Sequence, residues 1–148
     1  AGHVRTAGTE VIDQTMILRD ILEIVKDYNL KHFAFDRFIA YNGLIQGLID
    51  EGLSGFEHGQ GFLSMSAPSK ELEKLIKQKD IFHDSNPVLS WQLGNVELEL
   101  DAADNIKPSK KRSSEKIDGT VALVMALGCY MTEGGYNSIY DDRGLLML

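Results

Sequence analysis

Cysteine is almost absent: Cys129 is the only one in 148 residues. No disulfide framework is possible, and a reducing compartment is the natural setting. Set in an apolar stretch, this thiol reads as a small core residue. No uncharged apolar run reaches the ~18 to 20 residues that a membrane-spanning helix requires, and the chain has no signal-like start, so no membrane partner is expected. Basic charge is in deficit too. Against 22 Asp and Glu stand 15 Lys and Arg, a net charge of −7. That balance excludes a protein that coats nucleic acid indiscriminately, although a local patch still binds phosphate. Repeats and low-complexity tracts are missing as well. What is present is a 43% hydrophobic composition over 148 residues, suited to one globular domain with a real core.

The chain is organised around residues 113–128. Ile117, Val121, Val124 and Gly128 recur at helical spacing, with Leu123, Met125 and Leu127 widening the apolar face. This predicts a buried helix whose single acid, Asp118, lies in the first turn, where the helix dipole favours a carboxylate. Immediately upstream, Lys107, Lys110, Lys111, Arg112 and Lys116 place five cations within ten residues. A carboxylate at the end of a basic ramp points to a polyanion brought to a metal, while the ramp by itself equally describes a solvated loop.

Ala1 begins the chain without an initiator methionine, as expected of a piece excised from a longer protein. Asp13 predicts the cap of a helix over 14–28, with Ile17, Ile21, Ile24 and Tyr28 in one stripe. Residues 31–36 read as a short strand ending on Asp36, and strand ends are where α/β proteins build sites. A helix over 39–51 stops at Gly52, and a strand follows at 54–58. Helix, strand, helix, strand predicts an α/β fold with a right-handed crossover and parallel strands. Gly59-Gln60-Gly61-Phe62 reads as a loop, and Pro68 as the first turn of a helix over 68–78. After the break at Asn86-Pro87 comes a short apolar segment in which Trp91 reads as core. The alternation from Val96 to Asp101 predicts an edge strand with Val96, Leu98 and Leu100 inward and its acids in water. Asp104-Asn105 reads as a turn. A tail at 133–148, rich in Gly and acids, is set apart from a domain at 1–132 and is expected to dock through Leu145 to Leu148.

Gly59-Gln60-Gly61-Phe62 through Ser64-Met65-Ser66-Ala67-Pro68, then Lys70-Glu71-Leu72-Glu73, form one run of words. His83 with Asn86-Pro87 and Trp91, Asn95-Val96, Asn105-Ile106-Lys107-Pro108 and Lys116-Ile117-Asp118-Gly119 follow in order. Together they resemble the C-terminal nuclease domain of a tailed-phage or prophage terminase large subunit, from about Gly2 to Gly128. The resemblance implies an RNase H-like mixed sheet flanked by helices, here truncated at its N-terminal strands. It also implies a metal-dependent endodeoxyribonuclease that cuts concatemeric viral DNA in the cytoplasm of the bacterial host, with double-stranded DNA, the portal protein and the small terminase subunit as partners.

Of the three acidic motifs in that family, Asp36 in Phe35-Asp36-Arg37 matches the second and Asp118 the third, while the first is expected upstream of Ala1. The resemblance makes Asp36 and Asp118 the catalytic metal ligands, for Mg²⁺ or Mn²⁺ in a two-metal site. Two such ions, ~3.5 to 4 Å apart, would need both acids to approach each other. Lys107, Lys110, Lys111, Arg112 and Lys116 become DNA-backbone contacts, and His83 an accessory group that is otherwise structural; His58 reads as structural. No Gly-rich loop followed by Lys and Ser or Thr occurs, so the family's ATP-driven translocase unit is not encoded in these residues. Two other readings stand beside this one. One is a catalytically silent form of the same domain that docks DNA, portal or small subunit. The other is an unrelated α/β interaction module in which both acids are only caps. Missing strands would leave an exposed edge favouring self-association.

Overall fold

Asp13 opens the first helix by accepting hydrogen bonds from the backbone N–H groups of Thr15 at 2.9 Å and Met16 at 3.3 Å. That satisfies two of the donors a helix start leaves unpaired. The computed structural model describes residues 3–6, 8, 13–36, 38 and 43–133. Their elements, in chain order, are α1 (Gln14–Asp27), β1 (Phe33–Asp36), α2 (Gly43–Asp50), β2 (Gly55–His58), α3 (Phe62–Gln78), α4 (Pro87–Gly94), β3 (Leu98–Leu100), β4 (Ile106–Pro108) and α5 (Asp118–Thr132). The α/β class expected from the sequence is present. β1 and β2 pair in parallel, Asp36 opposite His58, with α2 as the crossover. Two residues after α2 ends at Asp50, Gly52 with a φ of +86° supplies the left-handed turn that stops it. β3 and β4 form a separate antiparallel pair. The start of the helix expected over 39–51, and the tail from residue 134 onward, lie outside the described residues.

Three expectations are corrected. The helix expected from Pro68 begins at Phe62, so Pro68 lies inside it. Proline removes one donor and crowds the preceding turn, but here its ring is buried in the contact of α3 with α5, where it faces Gly128. The apolar segment after Asn86 is a helix, which Asn86 caps by accepting from Val88 and Leu89 N–H, and Trp91 is 48% exposed rather than core. The strand at 98–100 is less buried than its alternation promises, although Val96 packs against the core as expected. Leu98 and Leu100 are exposed and Glu99 is half-buried. The register places Glu99 opposite Lys107, whose ammonium lies 3.9 Å from Glu99 and 4.9 Å over the Phe62 ring. The same register sets Leu98 beside Pro108 and Leu100 beside the buried Ile106, so both leucines share a face with them and are left 37% and 57% exposed by incomplete cover.

α5 is the central packing element, in contact with α3, α4, β1 and β2. Its Val121, Val124 and Met125, with Ile117 just before it, interlock with Met65 and Leu72 of α3. Each such side chain contributes roughly 1.5 to 3 kcal/mol through burial. The helix is buried on one face only; Asp118, Ala122, Ala126 and Tyr130 form an exposed line along the other. Cys129 is buried, as expected, and burial raises its thiol pKa. Among the described residues, no helix is long and apolar enough to cross a membrane.

Candidate active site

Asp36 closes β1, where the parallel pair stops. Its Oδ1 accepts from Phe38 N–H at 3.0 Å and its Oδ2 from the Gln60 side-chain amide at 2.9 Å. Gln60 stands in the Gly59-Gln60-Gly61 connection between β2 and α3, directly after His58, the register partner of Asp36. His58 is buried and its Nδ1 lies 2.8 Å from the Gly59 carbonyl oxygen, so it is the structural histidine expected from the sequence.

Asp118 is the first residue of α5 and is solvent-exposed. Lys110 Nζ lies 2.7 Å from its Oδ1. The hydrogen bond from that ammonium holds the Asp118 carboxyl below the usual carboxylate range; burial opposes it, and the Lys110 and Lys116 charges add to the lowering. The two residues, with Ser113, Ser114, Glu115 and Lys116, line a cavity of about 380 Å³. The helix start itself is held from α4, where Gln92 Oε1 accepts the Gly119 N–H. A Cβ at residue 119 would crowd that oxygen, which explains the glycine next to Asp118.

The start of β1 meets the end of α5, with His32 Nε2 3.8 Å from Glu133. His58, the register partner of Asp36, meets α5 at Gly128, ten residues after Asp118. Among the described residues the two acids share no hydrogen-bond partner. Among the described residues, no group of three or more His, Cys, Asp or Glu side chains is gathered to hold a metal ion. Of the five cations singled out, Lys107 is committed to Glu99 and Phe62 and Lys110 to Asp118. Lys111, Arg112 and Lys116 are exposed. His83 is exposed and its Nδ1 accepts the Ser85 N–H at 3.1 Å, a local turn contact.

Residues 2–133 match the family described as "Terminase large subunit, endonuclease domain". The chain belongs to that family. This terminase endonuclease domain is 38% identical over 125 residues to Protein YmfN of Escherichia coli (strain K12), covering 83% of this chain and 27% of that protein. It is 34% identical over 145 residues to the terminase large subunit of Enterobacteria phage HK97, covering 95% of this chain and 28% of the relative. The Lactococcus phage p2 terminase large subunit is 28% identical over 136 residues, with 85% and 24% covered. In three dimensions the domain superposes on the crystal structure of the HK97 bacteriophage large terminase with a TM-score of 0.79 at 34% identity, covering 86% of this chain and 27% of that one. It thus spans about a quarter of the length of the relatives it matches.

Two residues of this terminase domain carry no sign in the sequence of belonging to a site. Gln60 lies in a loop that the sequence marks only by its glycines, and Gln92 is a polar residue within an apolar helix. Neither bond has a sequence signal, because 24 residues separate Gln60 from Asp36 and 27 separate Gln92 from Gly119.

Proposed function

We propose that this chain is the metal-dependent endonuclease domain of a phage or prophage DNA-packaging terminase, cutting concatemeric double-stranded DNA in the cytoplasm of the bacterial host. Asp36 and Asp118 hold Mg²⁺ or Mn²⁺ in this reading, since both ions prefer hard oxygen donors. The observation that carries it is the Lys110–Asp118 contact of 2.7 Å, in which a carboxylate at the end of a basic loop already orders a cation. Asp36, oriented by two neutral N–H donors, has lone pairs left among the described residues for a second oxygen-ligand position. When bound, divalent ions supply an activated water for attack on phosphorus and stabilise the leaving oxygen. The protein's own part is to orient these carboxylates and to bring the phosphate backbone in through Lys111, Arg112 and Lys116, with Lys110 able to exchange between phosphate and Asp118. The first acid of the family's three, and the strands that would complete an RNase H-like sheet, fall outside residues 1–148 in this reading. Residues 1–132 are then the nuclease unit and 133–148 a tail, with portal and small subunit as the assembly partners.

The test is nicking of supercoiled plasmid with Mn²⁺ or Mg²⁺. Residues 1–148 alone should bind divalent ions weakly and nick little in Mg²⁺, with residual activity in Mn²⁺. In the full-length protein, Asp36→Asn and Asp118→Asn should each abolish cleavage and leave thermal stability nearly unchanged. Full activity of either variant would sink the ligand assignment.

A second reading, a silent docking domain that contacts DNA, portal, small subunit or a second copy, is favoured by exposed apolar surface. Leu98 and Leu100 are 37% and 57% exposed on β3, and α1 has no buried residue. Mn²⁺ titration separates the two, since the docking role needs no ion.

A further inference from the structure

Among the described residues, Gln60 is the one side chain that hydrogen-bonds Asp36. Its place follows from the parallel register. Asp36 and His58 are partners at the last rung, so the chain leaving β2 passes beside the Asp36 carboxylate within two residues. The backbone on both sides of Gln60 is pinned. The buried His58 ring holds the Gly59 carbonyl at 2.8 Å, and the Gly61 carbonyl accepts Met65 N–H at 3.0 Å as α3 begins. Gln60 itself is half-buried between these anchors, which leaves its side chain little freedom.

Chemistry fixes which end of the amide faces Asp36. An ionised carboxylate only accepts hydrogen bonds, so the amide presents its NH₂, as the 2.9 Å contact from Nε2 records. With Phe38 N–H on the other oxygen, each carboxylate oxygen takes one neutral donor. An ionised carboxylate has about four acceptor positions, so among the described residues roughly half its capacity stays unused. Neutral donors orient the group without cancelling its charge. At Asp118, by contrast, the partner is an ammonium that competes with any other cation.

We infer that Gln60 is a positioning residue for Asp36, fixing the rotation of the carboxylate so that its unused lone pairs are held ready for a divalent cation. The inference rests on the proposed role of Asp36 as a metal ligand. Partners of this kind, one bond removed from the ion, typically change metal affinity ~10- to 100-fold when removed. If Gln60 were only a tether between β1 and the loop, its loss would lower stability and leave the ion affinity of the folded chain alone.

The experiment measures Mn²⁺ affinity by electron paramagnetic resonance, with thermal unfolding in parallel, for the wild-type chain, Gln60→Met, Asp36→Asn and the double variant. Gln60→Met keeps the bulk and removes the donor. It should weaken Mn²⁺ binding ~10-fold with little change in Tm, and should cause no further loss in the Asp36→Asn background, because it acts through that carboxylate. Wild-type Mn²⁺ affinity in Gln60→Met, or the same fold-loss in both backgrounds, overturns the inference while the metal-site reading stands. If Asp36→Asn itself binds Mn²⁺ like wild type, the ligand reading of Asp36 fails and the role of Gln60 falls with it. Should Gln60→Met lower Tm by more than about 5 °C, a shift typical of ~1 kcal/mol in a small domain, Gln60→Asn carries the same comparison. It keeps an amide but is one methylene too short to reach.

Discussion

Lys110 Nζ lies 2.7 Å from Asp118 Oδ1, so a cation of the basic loop rests on the acid that opens α5. Both side chains are more than half exposed, at 55% and 62%. An ion pair this open contributes ~0 to 1 kcal/mol to stability, and its consequence is competition for the carboxylate. Lys110→Met should therefore tighten Mn²⁺ binding severalfold without DNA present and move Tm by no more than a few degrees. Calorimetric titration with Mn²⁺ checks this; an affinity equal to or weaker than wild type would show that the ammonium does not compete for the carboxylate.

The five cations should separate into two classes. Neutralising Lys111, Arg112 or Lys116 should weaken DNA binding for all sequences and flatten the plot of log affinity against log salt by ~0.9 for each phosphate left without its cation. Lys107 is instead held by Glu99 and the Phe62 ring. Lys107→Met should leave that slope unchanged and lower stability, because Glu99 is left half-buried without its partner. Equal slopes for wild type and the three neutralised variants would return those residues to a solvated loop.

Acid should destabilise the fold in a defined window. Asp101 accepts from Asn105 side chain and backbone and from Ala103 N–H, and Asp118 is bound by Lys110; both carboxyls titrate below the ordinary value of 3.8. A depressed folded pKa favours the folded state above the unfolded value and loses that contribution as pH falls through the folded one. These two groups thus contribute fully at neutral pH and fail progressively below 3.8. Thermal unfolding at a series of pH values should show a shallower acid limb in Asp101→Asn and Asp118→Asn than in wild type. Parallel limbs would contradict the assignment.

Gly128 carries a packing demand that its place in a helix conceals. A Cβ there would overlap His58 Nε2 and press on Pro68 Cγ. Gly128→Ala, ordinarily helix-stabilising, should instead cost ~1 to 3 kcal/mol by overpacking. Met65→Ala, at a side chain 2% exposed, should cost ~2 to 5 kcal/mol through the cavity it leaves. Denaturant unfolding measures both, and a stabilised Gly128→Ala would show that the α3–α5 seam yields.

Much of the local structure is legible in the sequence because local rules decide it. Asp13, Gly52 and the apolar spacing of α5 act over one or two turns, and the elements they announce are present. Sequence patterns mislead where a distant partner wins. Pro68 has the look of a helix start, but burial against α5 makes an internal proline tolerable. The alternation promises buried Leu98 and Leu100, but cover over this short hairpin is incomplete and leaves them 37% and 57% exposed. Trp91 reads as core from its apolar neighbours, yet α4 buries no residue completely.

By itself the sequence determined the α/β class, the starts of α1 and α5, the positions of Asp36 and Asp118 at a strand end and a helix start, and the family motifs in their order. These depend on caps, periodicity and short words, which act between near neighbours along the chain. Only the tertiary structure decided that the start of β1 meets the end of α5, that Gln60 hydrogen-bonds Asp36, and that Lys110 rather than Lys107 attends Asp118. Those relations join groups 8 to about 100 residues apart through hydrogen bonds and charges effective only within a few ångströms. Folding alone brings such groups into range.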